Sequence, residues 1–279
     1  MKKIGWYVLN IKARTNQTPL HYVEVIRQLK EQDPLVMVTK DKCLSLWSIE
    51  ESTENTNGIP SWIIIKLLSY TLIDPTKFYN RRSKENLELQ WDSDVVANKK
   101  EAELIFIPSC HKLATKKSSK ITLNYVKKYF EEALNKIEAE SFDVNIVVSQ
   151  DLIRKIKEAF AVVRIKADIS FSNPGYSDGF ARVLDEKLRA ANPDKASVEL
   201  IGSKTTPLGN QPDGLISALT DMAEQDGTIE ATIQSEEGGI YEKVSSSSYP
   251  RIVSSIQTKA SEVWATVYNA IREIFPTHD

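Results

Sequence analysis

Short apolar runs separated by polar turn residues predict that the first 140 residues consist mainly of strands. The predicted strands span residues 4–11, 35–39, 43–49, 62–70, 87–91 and 103–108. Two helices interrupt them, at 19–32, where a proline opens an apolar stripe, and at 122–137, where the apolar positions share one face. The runs on either side of residues 40–42 predict a hairpin.

Strands and helices alternate more regularly after residue 140. The predicted strands span 142–149, 162–171, 197–201 and 227–233, and the predicted helices span 151–160, 178–191, 212–224 and 259–275. In such an alternation each helix covers one face of a sheet. We therefore expect an α+β fold with two subdomains, a strand-rich one at 1–140 and an alternating α/β one at 141–279.

The final predicted helix also carries an apolar face. Four residues share that face and two lie at its edges: Val263, Val267, Ile271 and Ile274, with Trp264 and Phe275. Such a face packs either on the core of its own chain or on a second copy, so a homodimer remains open.

The same boundary near residue 140 divides the charge. Residues 1–140 contain 22 Lys and Arg against 18 Asp and Glu, a net charge of +4. Residues 141–279 contain 14 against 20, a net charge of −6. The two halves therefore have different surfaces.

Composition excludes several classes of protein. Two cysteines in 279 residues exclude a disulfide scaffold and suit the reducing cytoplasm. No apolar run is long enough to span a bilayer, and the first residues lack the apolar stretch of a signal peptide. We therefore expect a cytoplasmic protein without membrane insertion.

Candidate catalytic groups are few. The three histidines and two cysteines lack the spacing of a structural zinc site. The loop at 202–205 lacks the glycine spacing of a Walker motif. One predicted strand is flanked by three acidic residues whose carboxylates could bind Mg²⁺: Asp92, Glu101 and Glu103. A metal-dependent nuclease or toxin therefore remains an alternative. Otherwise we expect no catalytic residue and no cofactor.

Positive charge is the least ordinary local feature of the sequence. Between residues 110 and 130 there are no acids but one histidine and six lysines: His111, Lys112, Lys116, Lys117, Lys120, Lys127 and Lys128. A second cluster, Arg81, Arg82 and Lys84, has Tyr79 and Trp91 nearby in sequence for base stacking. Because such cations neutralise phosphate groups without reading base sequence, both clusters predict contact with DNA or RNA.

A solvated helix face is the alternative for part of this charge. Lys127 and Lys128 precede Glu131 and Glu132 by four residues, which is the spacing of ion pairs along a helix. The sequence pI of about 6.1 also argues against tight binding of bulk nucleic acid.

The segment at 103–113 joins an apolar strand to Pro, His, a basic residue and Leu, and the segments at 7–11 and 223–227 accompany it. Together these three segments resemble an uncharacterised bacterial family encoded near phage-defence genes. In this resemblance His111 and Lys112 match the basic pair of the family, and no catalytic role is implied for them.

Part of the second half also resembles the RexA-like phage-exclusion proteins. An apolar strand at 142–148 precedes a basic segment in which Arg154, Lys155 and Lys157 match the basic helix of that family. The resemblance implies a two-domain, DNA-binding dimer that acts with a membrane partner in abortive infection. The acidic balance of 141–279 departs from the positive surface expected of a DNA clamp.

These features predict a non-enzymatic component of a bacterial anti-phage system that binds nucleic acid or senses infection. The expected partners are DNA or RNA, a second copy of the chain and a protein from a defence operon. The metal-dependent nuclease remains one alternative. An antitoxin-like regulator that binds protein through the acidic half is the other.

Overall fold

The computed structural model describes residues 2–53, 55–56, 58–87, 92, 95–139, 141–171, 179–191, 193, 195–257 and 262–276. Within these ranges, antiparallel sheets are covered by helices, which confirms the predicted α+β class. The helices are α1 (Pro19–Gln32), α2 (Leu123–Ile137), α3 (Gln150–Lys157), α4 (Gly179–Arg189), α5 (Leu215–Asp226) and α6 (Val263–Ile274). Most of the predicted strand at 87–91, including Trp91, lies outside the described residues.

The strands extend from the second residue to the C-terminal region. They are β1 (Lys2–Ala13), β2 (Val36–Met37), β3 (Lys42–Glu51), β4 (Asn55–Thr56), β5 (Ile59–Pro60), β6 (Ile63–Thr71), β7 (Phe78–Asn80), β8 (Glu85–Leu87), β9 (Ala97–Ile107), β10 (Lys112–Lys116), β11 (Phe142–Ile146), β12 (Ala161–Ser170), β13 (Lys195–Ile201), β14 (Gly227–Gln234), β15 (Tyr241–Ser245) and β16 (Ile252–Gln257). The predicted hairpin is formed by β2 and β3.

The larger sheet has the strand order β11–β1–β10–β9–β6–β3–β2, and β16 also pairs with β1. The 12 residues of β1 allow it to pair with β10 on one side and with both β16 and β11 on the other. Because β11 and β16 follow residue 140, this sheet draws strands from both halves of the sequence.

Alternate residues of β1 face opposite sides of the larger sheet. Leu9 and Ile11 lie in the core formed with α1 and α2. Trp6 and Val8 lie in a second core, which α6 covers. Since burial of one large apolar side chain stabilises a fold by roughly 1.5–3 kcal/mol, β1 is held firmly from both sides.

The apolar face of α6 packs on this sheet. Val267 and Ile271 are fully buried there, and Trp264 is partly buried. Ile274, at the end of the helix, stays 39% exposed. The face that suggested a dimer therefore belongs largely to the core of its own chain.

A smaller antiparallel sheet has the order β13–β12–β14–β15. Residues of α3, α4 and α5 pack on one of its faces. Ion pairs lie on the exposed face, with 2.6 Å between Arg164 Nε and Glu199 Oε1 and 2.9 Å between Lys243 Nζ and Glu230 Oε2. No helix in the described ranges combines the length and apolar character needed to cross a membrane.

Candidate nucleic-acid interface

The lysine-rich segment at 112–120 is divided between a strand and a loop. β10 ends at Lys116, and the loop at 117–121 leads to Thr122, whose hydroxyl accepts a hydrogen bond from the Tyr125 N–H at 3.4 Å and caps α2. The side chains of Lys117 and Lys120 are exposed in this loop. Neither has a carboxylate partner among the described residues.

The arginine-rich cluster forms the turn of a separate hairpin. β7 and β8 pair so that Asn80 lies opposite Glu85, and the turn between them carries Arg81, Arg82 and Lys84. The Asn80 side-chain oxygen accepts hydrogen bonds from the backbone N–H groups of residue 82 at 2.9 Å and residue 83 at 3.2 Å. The side chains of Arg81, Arg82 and Lys84 are exposed and have no carboxylate partner in the described ranges.

Strand direction sends both segments toward the same end of the larger sheet. The last residue of β6, Thr71, lies beside Ala97 at the start of β9, so the chain leaves the sheet at that end after β6 and re-enters it there at β9. β10 runs antiparallel to β9 and its last paired residue, Thr115, lies opposite Leu104, so the loop after β10 begins partway along β9 and heads toward that end. We refer to Arg81, Arg82, Lys84, Lys117 and Lys120 as the basic end.

The electrostatics of Glu101, near the start of β9, agree with this placement. A hydrogen bond from Lys99 lowers the pKa of Glu101, and the charges of Lys66 and Lys120 lower it further. Lys120 therefore lies close enough to the edge of β9 to act on a carboxylate there.

Six other predicted cations have carboxylate partners. The pairs, with their N–O distances, are Lys116–Glu103 at 3.3 Å, Lys127–Glu131 at 2.8 Å, Lys128–Glu132 at 3.6 Å, Arg154–Asp151 at 2.9 Å, Lys155–Glu242 at 2.9 Å and Lys157–Asp221 at 2.5 Å. The pairs along α2 are those expected of a solvated helix face. The three cations of α3 are likewise neutralised by neighbouring acids.

The remaining predicted pair, His111 and Lys112, lies at the opposite end of β10 from the loop. His111 adopts a left-handed conformation with φ of 59°, and its ring stacks on Tyr22 with centroids 4.3 Å apart. Burial lowers the pKa of His111 to about 4, so the ring is neutral at pH 7. Lys112 Nζ donates to Asn10 Oδ1 at 2.7 Å and lies 5.1 Å from the Phe275 ring centroid.

A buried polar cluster beside Lys112 escapes prediction from sequence. On β1, Asn10 and Lys12 continue the face of Trp6 and Val8 past the part that α6 covers. We call Asn10, Lys12, Lys112 and Asp143 the buried lysine cluster. Lys12 is 4% exposed and Asp143, opposite it on β11, is 2% exposed.

Asp143 links this cluster to both sheets. Its carboxylate lies 3.4 Å from Arg14 Nη2 and 2.5 Å from Nζ of Lys195, at the start of β13 in the smaller sheet. Burial, and then the neighbouring charge of Lys112, lowers the pKa of Lys12 to about 7, although Asp143 opposes the shift. Burial also lowers the pKa of Lys112 to about 8. Lysines in this range exchange protons near neutral pH.

Two of the carboxylates considered for a nuclease are engaged by lysines. Glu101 pairs with Lys99 at 2.8 Å and Glu103 pairs with Lys116 at 3.3 Å. Asp92 is exposed. No group of three or more His, Cys, Asp or Glu side chains arranged to hold a metal ion occurs in the described part of the chain.

The chain matches the model of one protein family over most of its length. Residues 2–273 match the model of a family described as a domain of unknown function, DUF4747. A comparison with curated proteins finds no match. Because the matched region covers nearly the whole length, the chain belongs to the DUF4747 family.

Proposed function

We propose that this chain binds nucleic acid through the basic end. The observation that carries the proposal is that two exposed cationic segments, separated by more than 30 residues in sequence, both leave the larger sheet in the direction of the same end. Their five cations have no carboxylate partner among the described residues, whereas most of the other predicted cations are paired.

Unpaired, exposed Lys and Arg are the groups that phosphate backbones attract. When they neutralise phosphates they release condensed counterions, which makes binding strong at low salt and independent of base sequence. The net charge of −6 after residue 140 disfavours contact elsewhere and orients the nucleic acid toward the basic end.

The biological setting that we propose is a cytoplasmic, non-enzymatic component of a bacterial anti-phage system. Its support is the resemblance of segment 103–113 to a family encoded near phage-defence genes. A binding rather than cleaving role is supported by the pairing of Glu101 and Glu103 with lysines. Recognition of phage DNA or RNA by its backbone would let such a component sense infection.

Replacement of both Lys117 and Lys120 by alanine tests this proposal. Fluorescence anisotropy of labelled oligonucleotides at about 50 and 200 mM salt measures affinity and its salt dependence. We expect the double variant to lose on the order of tenfold in affinity at low salt, and its log–log salt slope to flatten by about 2. Unchanged affinity and slope would show that the loop makes no phosphate contact.

A further inference from the structure

Trp47 is the most exposed tryptophan in the described part of the chain. It lies on β3 at a register shift between Leu46 and Ser48, which are opposite Leu67 and Lys66 on β6. A bulge of this kind leaves its residue without a ladder partner and redirects the side chain. Trp47 is accordingly 57% exposed, whereas Trp6 is fully buried.

One lysine lies directly over the Trp47 ring. Lys99 Nζ lies 4.7 Å from the ring centroid and also pairs with Glu101 Oε1 at 2.8 Å. Lys66, next to the bulge on β6, is exposed. Lys66 and Lys120 both act on Glu101, so positive charge from the loop at 117–121 reaches the carboxylate that Lys99 connects to the ring.

We propose that Trp47 stacks on an unpaired base, so that the nucleic acid bound at the basic end is single-stranded. The proposal rests on the proposed function and specifies its ligand. An exposed aromatic ring beside a cationic track is the arrangement by which proteins hold single strands, because every base has a stacking face. In a duplex the bases are stacked inside the helix, out of reach of a ring on the face of a sheet.

The charges near the ring agree with this ligand. A base stacked on Trp47 would carry its phosphates past Lys66 and Lys99 toward Lys120 and the loop. Stacking needs only the aromatic face, so it adds affinity without adding salt dependence, whereas the lysines add both.

Replacement of Trp47 by leucine in the full chain tests the inference. We expect affinity for a labelled oligo(dT) strand to fall about tenfold, consistent with the stacking contribution of one base, with an unchanged salt slope. Affinity for a duplex of the same length is expected to stay the same. Trp47→Phe keeps an aromatic ring and is expected to recover most of the single-strand affinity.

A matched control is Phe160→Leu. Phe160 is also 57% exposed but follows α3 in the second half. Its replacement is therefore expected to leave the affinity for the oligo(dT) strand and the affinity for the duplex unchanged. Circular dichroism melts of both leucine variants check that they remain folded, and the phenylalanine variant keeps the test decisive if Trp47→Leu is unstable.

The possible results separate this inference from the proposed function. If Trp47→Leu binds oligo(dT) as tightly as the natural chain while the Lys117/Lys120 variant binds weakly, the stacking role is wrong and the proposed function stands. Equal weakening toward strand and duplex would also overturn the stacking role. Absence of binding to any nucleic acid by the natural chain would overturn both.

Discussion

Replacement of Asp143 by asparagine is expected to lower the free energy of unfolding by about 3 kcal/mol or more, the cost of removing one partner from a buried ion pair. The carboxylate is 2% exposed and carries the negative charge that faces Lys12, Arg14 and Lys195. An amide of the same shape removes that charge from the buried Lys12 and from the partly exposed Arg14 and Lys195, so the loss arises from electrostatics and not from packing.

Urea denaturation followed by circular dichroism measures this loss. Glu132→Gln is the matched control, because it removes the same charge from the exposed pair with Lys128 on α2 and is expected to cost no more than about 1 kcal/mol. A cost for Asp143→Asn as small as that of the control would mean that Asp143 does not hold the two sheets together.

Replacement of Lys12 by methionine is expected to stabilise the protein at neutral pH by about 1–4 kcal/mol, because burial of the ammonium group costs more than its attraction to Asp143 returns, and Asp143 keeps Arg14 and Lys195 as partners. Because the pKa of Lys12 is about 7 in the folded chain and ordinarily near 10.5, the unfolded state holds its proton more tightly. Below pH 7 the penalty for burying the charge is therefore complete, and it is relieved as pH rises toward 10.5.

This linkage predicts a pH profile that can be measured. Between pH 7 and 10 the free energy of unfolding of the natural chain should rise with pH, by up to about 1.4 kcal/mol per unit for each such lysine. Lys112 has a pKa lowered to about 8 and contributes in the same direction. Lys12→Met should therefore flatten the profile without abolishing it. A variant that is less stable at pH 7 and keeps the full slope would refute this account of Lys12.

The apolar patterns predict most of the layered fold, but not its short or polar strands. β10 contains only Leu113, Ala114 and Thr115 between two lysines, too short an apolar run to predict a strand. It becomes a strand because β1 and β9 supply hydrogen-bonding partners on both sides, while Asn10 and Glu103 satisfy the lysines. β16 is also missed from sequence. Its partner is the start of β1, about 250 residues away, so only the fold brings the two strands together.

Only part of the candidate site can likewise be predicted from the sequence. Pairing of Lys127 and Lys128 follows from helical spacing alone, and the structure confirms the geometry. The partners of Lys155 and Lys157 lie 87 and 64 residues away, so only the fold reveals that these cations are neutralised. The buried lysine cluster depends on strand register, although the alternation along β1 does place Lys12 on the face of Trp6 and Val8.

Two variants that remove the same positive charge test the central claim, that the cations of the basic end are the binding surface. The first replaces four residues of the basic end by alanine: Arg81, Arg82, Lys117 and Lys120. The second replaces four lysines that already have carboxylate partners: Lys127, Lys128, Lys155 and Lys157. Binding of both to one labelled single strand is measured across salt concentrations.

We expect the first variant to lose affinity on the order of a hundredfold at low salt, with a salt slope smaller by about 3–4. The second variant should stay within a few-fold of the natural chain and keep its slope. Equal weakening of the two variants would mean that binding follows net charge alone and would contradict the claim, as would a first variant that binds as tightly as the natural chain.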